Sequence, residues 1–470
     1  MWKDERIKRQ ARTISALLVA WLTAWGCAGS PELAEVPREI GGADPPRSII
    51  IVSIDTLRAD HLGCYGYFRD TSPTIDALAE ESILFERALA PMSMTLPAHT
   101  SLFTGVFPLE HGVLANIKHG GRVFVPAPGL RSFAEFARDR GYQTAAFVSA
   151  PPLAAATGIA AGFDVFKEPE KARPAGETNE EVFRWLDELG PSPFLLWVHY
   201  FDPHQPYRPP EEFQTYRDDE ELDRYLEESR IPAISSSPRG RTYTTRKSTN
   251  LYDGEIRYAD HELGRLIERL RKRGRWQDSA LVLVSDHGES IGDHGYVGHE
   301  YITREQLQVL MMLRVPGAAP ARFETPVSLV DALPTLIALL EDDGWQGFLD
   351  QASGRDALAA GTLPHAVFAQ RAERERPEFI GPGLSLLSGK WRYVYEPEKE
   401  NQLFDWSNDP HELDNVVEQH AELARSLEDE LLERVSRYHV RATELRGDSE
   451  AQGEMDPELY EKLRALGYVD

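Results

Sequence analysis

Between residues 47 and 290 short apolar runs alternate with amphipathic stretches. "RSIIIVSID" (47–55) is a continuous β-branched run without a polar face, the pattern of a strand covered by helices on both sides. Similar runs recur at "TAAFVS" (144–149), "FLLWVHY" (194–200) and "ALVLVSD" (280–286). Between them, "SPTIDALAEESILF", "GLRSFAEFARDRG", "NEEVFRWLDELG" and "YADHELGRLIERLRKRG" carry helical patterns, the last closing on a basic turn and a glycine. This alternation predicts an α/β fold: a large mixed, mostly parallel sheet flanked by helices on both faces.

The pattern changes elsewhere. Residues 228–250 ("ESRIPAISSSPRGRTYTTRKSTN") lack periodicity and read as an insertion or surface loop. Beyond residue 345, "GKWRYVYEP" and "NQLFDWSNDPHELDNV" predict antiparallel strands and a turn, followed by an acidic amphipathic helix over 415–437. The expected organisation is a catalytic domain over 47–345 and a smaller C-terminal α+β subdomain over 346–470. At the other end, "MWKDERIKRQAR" is net basic and "TISALLVAWLTAWGC" carries no charge. That apolar run is shorter than the ~20 residues of a membrane span and matches a signal peptide over 1–27. The ending "AWGCAGS" resembles a bacterial lipoprotein cleavage site at Cys27, although Ala24 stands where such sites carry Leu. Pro/Gly/acidic residues 28–46 read as a linker. The expected location is exported, in the periplasm or cell envelope, with membrane attachment only through an N-terminal lipid or signal anchor.

Charge and cysteines narrow the choices. Acidic residues outnumber basic ones by 76 to 51, a net charge of −25, which argues against a nucleic-acid partner. A small anionic substrate stays open, because a bound cation reverses the local field. The chain has only Cys27 and Cys64, so neither a disulfide framework nor a cysteine metal site is expected.

Two apolar strands end in carboxylates, at Asp55 and at "SDHGE" with Asp286, His287 and Glu289. Ligands of open α/β sheets bind beyond the carboxyl ends of the strands. Two aspartates with an adjacent histidine make a mixed O/N site for a divalent cation there. In "PMSMTLPAHTSLFTG" (91–105), Thr95 stands at a helix start with Pro97 in the first turn; taken alone it reads as an N-cap.

The chain resembles the sulfatase family within the alkaline-phosphatase-like superfamily. "SIDTLRADHLGCYGY", "SPTIDALAEESILFERA", "TLPAHTSLFTGVFPLEHGV", "GYQTAAFVS", "HYFDPHQPYRPP", "YDGEIRYAD", "SDHGESIGDHGYVGH" and "LVDALPTL" occur in the family's order over roughly 47–430. The resemblance implies that Asp55, Asp286 and His287 hold one divalent metal, with Thr95 as hydroxyl ligand and nucleophile. It makes His204 the histidine that assists the leaving group. His299 falls where many relatives place a lysine for the ester's oxyanion, and Arg58 and His99 would orient the ligands. His111 and His199 read equally as ordinary hydrogen-bonded histidines, and the role of His294 stays open.

The departures bear on substrate. Sulfatases proper carry Cys or Ser at the Thr95 position, oxidised to formylglycine, with an arginine at the His99 position. A threonine cannot become that aldehyde, whose second hydroxyl expels sulfate, whereas a phosphorylated threonine is released by in-line attack of water. Asp286-His287 replaces the family's frequent Asp-Asn calcium pair and favours Mn, Zn or Fe over Ca. Thr56 stands where relatives have a second aspartate, and the lysine and histidine expected after "GYQT" are missing. These features imply a metal-dependent hydrolase of a sulfate or, favoured chemically, phosphate ester on a small molecule, glycan or lipid headgroup. The alternatives are a phosphodiesterase, a phosphoglycerol- or phosphoethanolamine-type transferase, or an inactive surface lipoprotein that binds a glycan or headgroup. A second ion among Asp202, His204 and His299 is the less favoured metal arrangement.

Overall fold

The computed structural model describes residues 46–116, 127–237, 240–359, 366–371, 383–397 and 399–446. The expected leader (1–27) and all but the last residue of the linker (28–46) lie outside the described residues. Eight strands form the main sheet: β1 Ser48–Ile54, β2 Ile83–Phe85, β3 Gln143–Phe147, β4 Val165–Lys167, β5 Phe194–Tyr200, β6 Ser279–Ser285, β7 Met311–Arg314 and β8 Ala321–Phe323. Their order is β8-β2-β7-β6-β1-β5-β3-β4. Only β7 runs antiparallel to its neighbours, so the sheet is mixed and mostly parallel as expected.

The β-branched run of β1 has no polar face because both its faces are covered. Ile49 and Ile51 belong to a core with Leu96, Phe103, Phe133 and Trp345. Ile50, Val52 and Ile54 point the other way, into a core with Leu78, Val182 and Leu263. Each buried isoleucine contributes about 1.5–3 kcal/mol relative to exposure. The covering helices are α1 Pro73–Ala79, α2 Thr95–Thr104, α3 Phe133–Asp139, α4 Ala175–Glu188, α5 Glu220–Glu228, α6 Thr245–Lys272 and α7 Ala332–Leu340.

Two local expectations fail. "SPTIDALAEESILF" is not one helix: it stops at Ala79, and Ile83–Phe85 pairs as β2, where its apolar residues complete the sheet. Residues 228–250 are not all loop, since Ile234–Ser236 and Thr242–Thr244 form a hairpin and Thr245 already begins α6. Ser248, Thr249 and Tyr252 are buried, so packing imposes helix on a segment whose polar residues hid the period. A four-stranded antiparallel sheet follows: β9 Val367–Gln370, β10 Leu384–Ser388, β11 Trp391–Tyr395 and β12 Gln402–Asp405. Helix α8, Ala421–Arg446, packs Leu427, Leu431 and Val435 against Phe368, Leu386 and Tyr393.

Register carries the fold into the site. Adjacent parallel strands β1 and β6 pair Ile54 with Ser285, so the next residues, Asp55 and Asp286, emerge side by side at the strands' carboxyl ends. On the other side of β1, His199 of β5 pairs with Ser53.

Candidate active site

Asp55, Asp286 and His287 present ligand atoms within 4.8 Å of one another, all from buried residues. His287 Nε2 lies 3.8 Å from Asp55 Oδ1, 3.5 Å from Asp286 Oδ2 and 3.5 Å from Thr95 Oγ1. Its Nδ1–H donates to the Gly288 carbonyl (2.9 Å), which leaves the Nε2 lone pair facing the carboxylates. Both Asp55 carboxylate oxygens and Asp286 Oδ2 are buried without a hydrogen-bond partner. Burial, then the neighbouring Asp286 charge, push Asp55 well above the usual carboxylate range, and burial raises Asp286 to about 6. Two carboxylates so placed are a poor resting arrangement without a cation and a good one around it. The donor set fits a divalent metal.

Thr95 is the first residue of α2, and Met94, extended, takes the N-cap place before it. The hydroxyl instead faces His287 at the positive end of the helix, which disposes of the N-cap reading. His99, one turn on, donates from Nδ1 to the Thr95 carbonyl (2.8 Å) and lies 3.6 Å from Asp286 Oδ2. Its Nε2 faces Ser53 Oγ (2.8 Å), which also accepts from Trp197 Nε1 (2.9 Å), so the serine proton goes to His99. His99 therefore braces the strand β1 end against the helix that presents Thr95.

His204 and His299 meet across the opening, with Nε2 atoms 3.3 Å apart, and the His299 ring packs on His287 at 4.5 Å between centroids. Each donates from Nδ1 to a carbonyl, His204 to Gln205 (2.6 Å) and His299 to Ser93 (3.1 Å). The two Nε2 lone pairs therefore face each other, and burial, then the His299 charge, lower His204 to about 3.

Arg58 is directed elsewhere. Its guanidinium pairs with Asp60 and Asp293 (both 2.7 Å) and reaches the Glu289 carbonyl (3.4 Å). It braces the loop after His287 instead of touching the ligands. Asp202 does not join His204 and His299: its carboxylate accepts from the Ala175 amide (2.7 Å) and bonds to Glu255. Among the described residues, the groups able to surround a cation are Asp55–Asp286–His287 and His99–His199–Asp286, and the Asp202 set is not one of them. His111 is an ordinary buried histidine between Ser101 Oγ (2.9 Å) and the Val113 amide (3.0 Å). His294 sits with a left-handed backbone, 3.8 Å from Glu305, in a mixed-charge cavity of about 370 Å³.

Two residues have roles here that the sequence reading did not assign. Thr56, whose backbone is left-handed (φ 54°), donates its amide to Asp286 Oδ1 (3.2 Å). Tyr252 donates to the Thr56 carbonyl (2.6 Å) and accepts from the Arg58 amide (2.9 Å), fixing that turn from α6. A β-branched residue at positive φ costs about 1–3 kcal/mol, a strain that persists at sites where the surroundings impose it. No local signal announces either, apart from the "YDGEIRYAD" motif that contains Tyr252.

A carboxylate–imidazole cage at the strand ends, a hydroxyl at a helix start and a histidine pair opposite make up the candidate site of an ester hydrolase. The family model described as Sulfatase matches residues 47–342, and the chain belongs to the sulfatase family. An uncharacterized sulfatase, YidJ, of Escherichia coli (strain K12) is 24% identical over 452 residues, spanning 82% of this chain and 86% of that protein. A choline-sulfatase of Rhizobium meliloti (strain 1021) is 28% identical, over 53% of this chain and 51% of that enzyme. The fold is also that of the phosphonate monoester hydrolase of Agrobacterium radiobacter, with a TM-score of 0.65, 21% identity and coverage of 84% of this chain and 96% of that one.

Proposed function

We propose that this chain is an exported hydrolase of phosphorus esters in which Thr95 is the nucleophile. The observation that carries the reading is Thr95 Oγ1, at the start of α2 and aimed at His287 beside the unpartnered Asp55 and Asp286 oxygens. Asp55, Asp286, His287 and Thr95 would hold one divalent ion; three oxygens and one imidazole suit Mn, Zn or Fe better than Ca. When bound, such an ion lowers the hydroxyl pKa and offsets the charge of the ester.

The chain's own groups account for the remaining chemistry. Thr95, its proton lost to solvent, forms the Oγ–P bond in line as the P–O bond to the leaving group breaks. The leaving oxygen takes a proton supplied through the His204–His299 pair. Water then attacks phosphorus, the Oγ–P bond breaks, Thr95 regains its hydroxyl and phosphate departs. A sulfated threonine lacks the aldehyde-hydrate exit, which is why phosphorus is favoured. The ester's organic part is a small molecule, glycan or lipid headgroup, and transfer to an alcohol in place of water would give the transferase variant of the same chemistry. Export follows from the N-terminal leader pattern.

Turnover of nitrophenyl phosphate, bis-nitrophenyl phosphate and nitrophenyl sulfate with Mn²⁺, Zn²⁺ and Ca²⁺ tests the proposal. Thr95→Ala should lower turnover of the preferred phosphorus ester by at least about a thousandfold, while Thr95→Ser keeps measurable activity. Sulfate turnover that exceeds phosphorus turnover and survives Thr95→Ala would overturn it.

A further inference from the structure

His99, His199 and Asp286 lie close enough to surround a cation, as do Asp55, Asp286 and His287, so position alone leaves the role of His199 undecided. Hydrogen bonding decides it. The Ser149 amide points at His199 Nδ1 (3.3 Å). A backbone amide can only donate, so Nδ1 carries the lone pair and the ring proton belongs on Nε2. A nitrogen that bears a proton has no lone pair for a metal. His99 is engaged at both nitrogens, with the Thr95 carbonyl and with Ser53, and is likewise unable to act as a ligand.

His199 Nε2 is fully buried, lacks a partner, and lies 3.6 Å from Asp55 Oδ2, a buried oxygen that also lacks one. Donor and acceptor face each other in the buried interior at slightly more than hydrogen-bonding distance. The ring cannot swing away. The Ser149 hydroxyl bonds the His199 carbonyl and Thr178 Oγ1, which ties the end of β3 to β5 behind the imidazole. His99 approaches Asp286 from the other side, also at 3.6 Å, but with its proton on Nδ1.

We infer that His199 is a positioning residue: its Nε2–H holds the Asp55 carboxylate for the cation, and it is not itself a ligand. His99, whose Nδ1 proton is taken by the Thr95 carbonyl, does not do the same for Asp286. The inference rests on the proposed function only in taking Asp55 as a ligand, and it is independent of Thr95 chemistry and of the ester.

The test is metal affinity of the full chain, stripped with chelator and titrated with Zn²⁺ or Mn²⁺ against a chromophoric chelator. His199→Leu should weaken binding about 10–100-fold, whereas His199→Gln, which keeps an N–H donor at similar reach, should stay within about threefold of wild type. Unfolding of the metal-free variants separates this from loss of fold. If His199→Leu does not fold, ¹⁵N spectra of the histidines in the Zn²⁺-loaded wild type serve instead. A protonated His199 Nε2 supports the inference; an unprotonated, metal-shifted Nε2, or wild-type affinity in His199→Leu, overturns it.

Discussion

At the scale of single residues, the site is a set of buried polar groups whose protons are each assigned by one neighbour. Gly288 fixes His287, Thr95 and Ser53 fix His99, and Ser149 fixes His199. Both Asp55 oxygens and Asp286 Oδ2 lack such partners, and this has a measurable consequence when metal is removed. Asp286 titrates near 6 in the folded chain, above its ordinary value near 4, because burial penalises its charge. A raised carboxyl pKa stabilises the fold fully below the unfolded value and loses that contribution as pH rises through the folded one. Chelator-treated protein should therefore melt at lower temperature at pH 7.5 than at pH 5, and excess metal should remove or reverse that difference. Calorimetry across this range, with and without metal, checks it.

At the scale of elements, the turn after β5 carries His204, and α6 pins that turn through a carboxyl pair. Asp202 and Glu255 are hydrogen-bonded to each other, and Glu255 Oε1 also accepts from the Arg208 amide. Burial and then the Asp202 charge raise Glu255 to about 9, so it is neutral at pH 7. The same sign applies: its contribution is present below the ordinary glutamate value and is lost as pH rises through 9. Glu255→Gln keeps a neutral donor beside Asp202. It should keep the activity of wild type at pH 7 and flatten the loss of stability between about pH 5 and 9. Glu255→Ala should lower activity through the His204 turn even at pH 7. Melting curves and rates over that range distinguish the two variants.

At the scale of the molecule, the C-terminal sheet is tied to the loop that follows His299. Arg392 on β11 pairs with Glu412 and reaches the Ile302 carbonyl. Glu412 also accepts from Trp406 Nε1 (2.6 Å) and from the Arg304 amide (3.0 Å). Arg392 and Glu412 are almost fully buried, so removing one partner leaves an uncompensated charge. Glu412→Ala should cost about 3–5 kcal/mol in denaturant unfolding and lower turnover as the 299–304 loop loosens. Replacing both residues by apolar ones of similar volume should recover most of the stability.

Some of this is written in the sequence and some is not, for a physical reason. A strand buried on both faces must be apolar throughout, so "SIIIVSI" and "ALVLVS" disclose the central sheet, and their closing carboxylates point to the candidate cation site. The quoted family motifs locate Thr95, His204 and His299. The polar start of α6 is hidden because its burial depends on distant partners, and the short β2 because its helix-like apolar spacing also suits an edge of the sheet. Composition and spacing cannot say where a guanidinium turns or which imidazole nitrogen carries a proton. Those depend on groups far apart in the chain: Arg58 on Asp293, Thr56 on Asp286 and Tyr252, His199 on Ser149. The sequence by itself determined the α/β sheet and the donor types at its strand ends. The tertiary structure alone decided which imidazole nitrogens carry protons and which face the carboxylates, because a proton's place is set by the neighbour it meets in space.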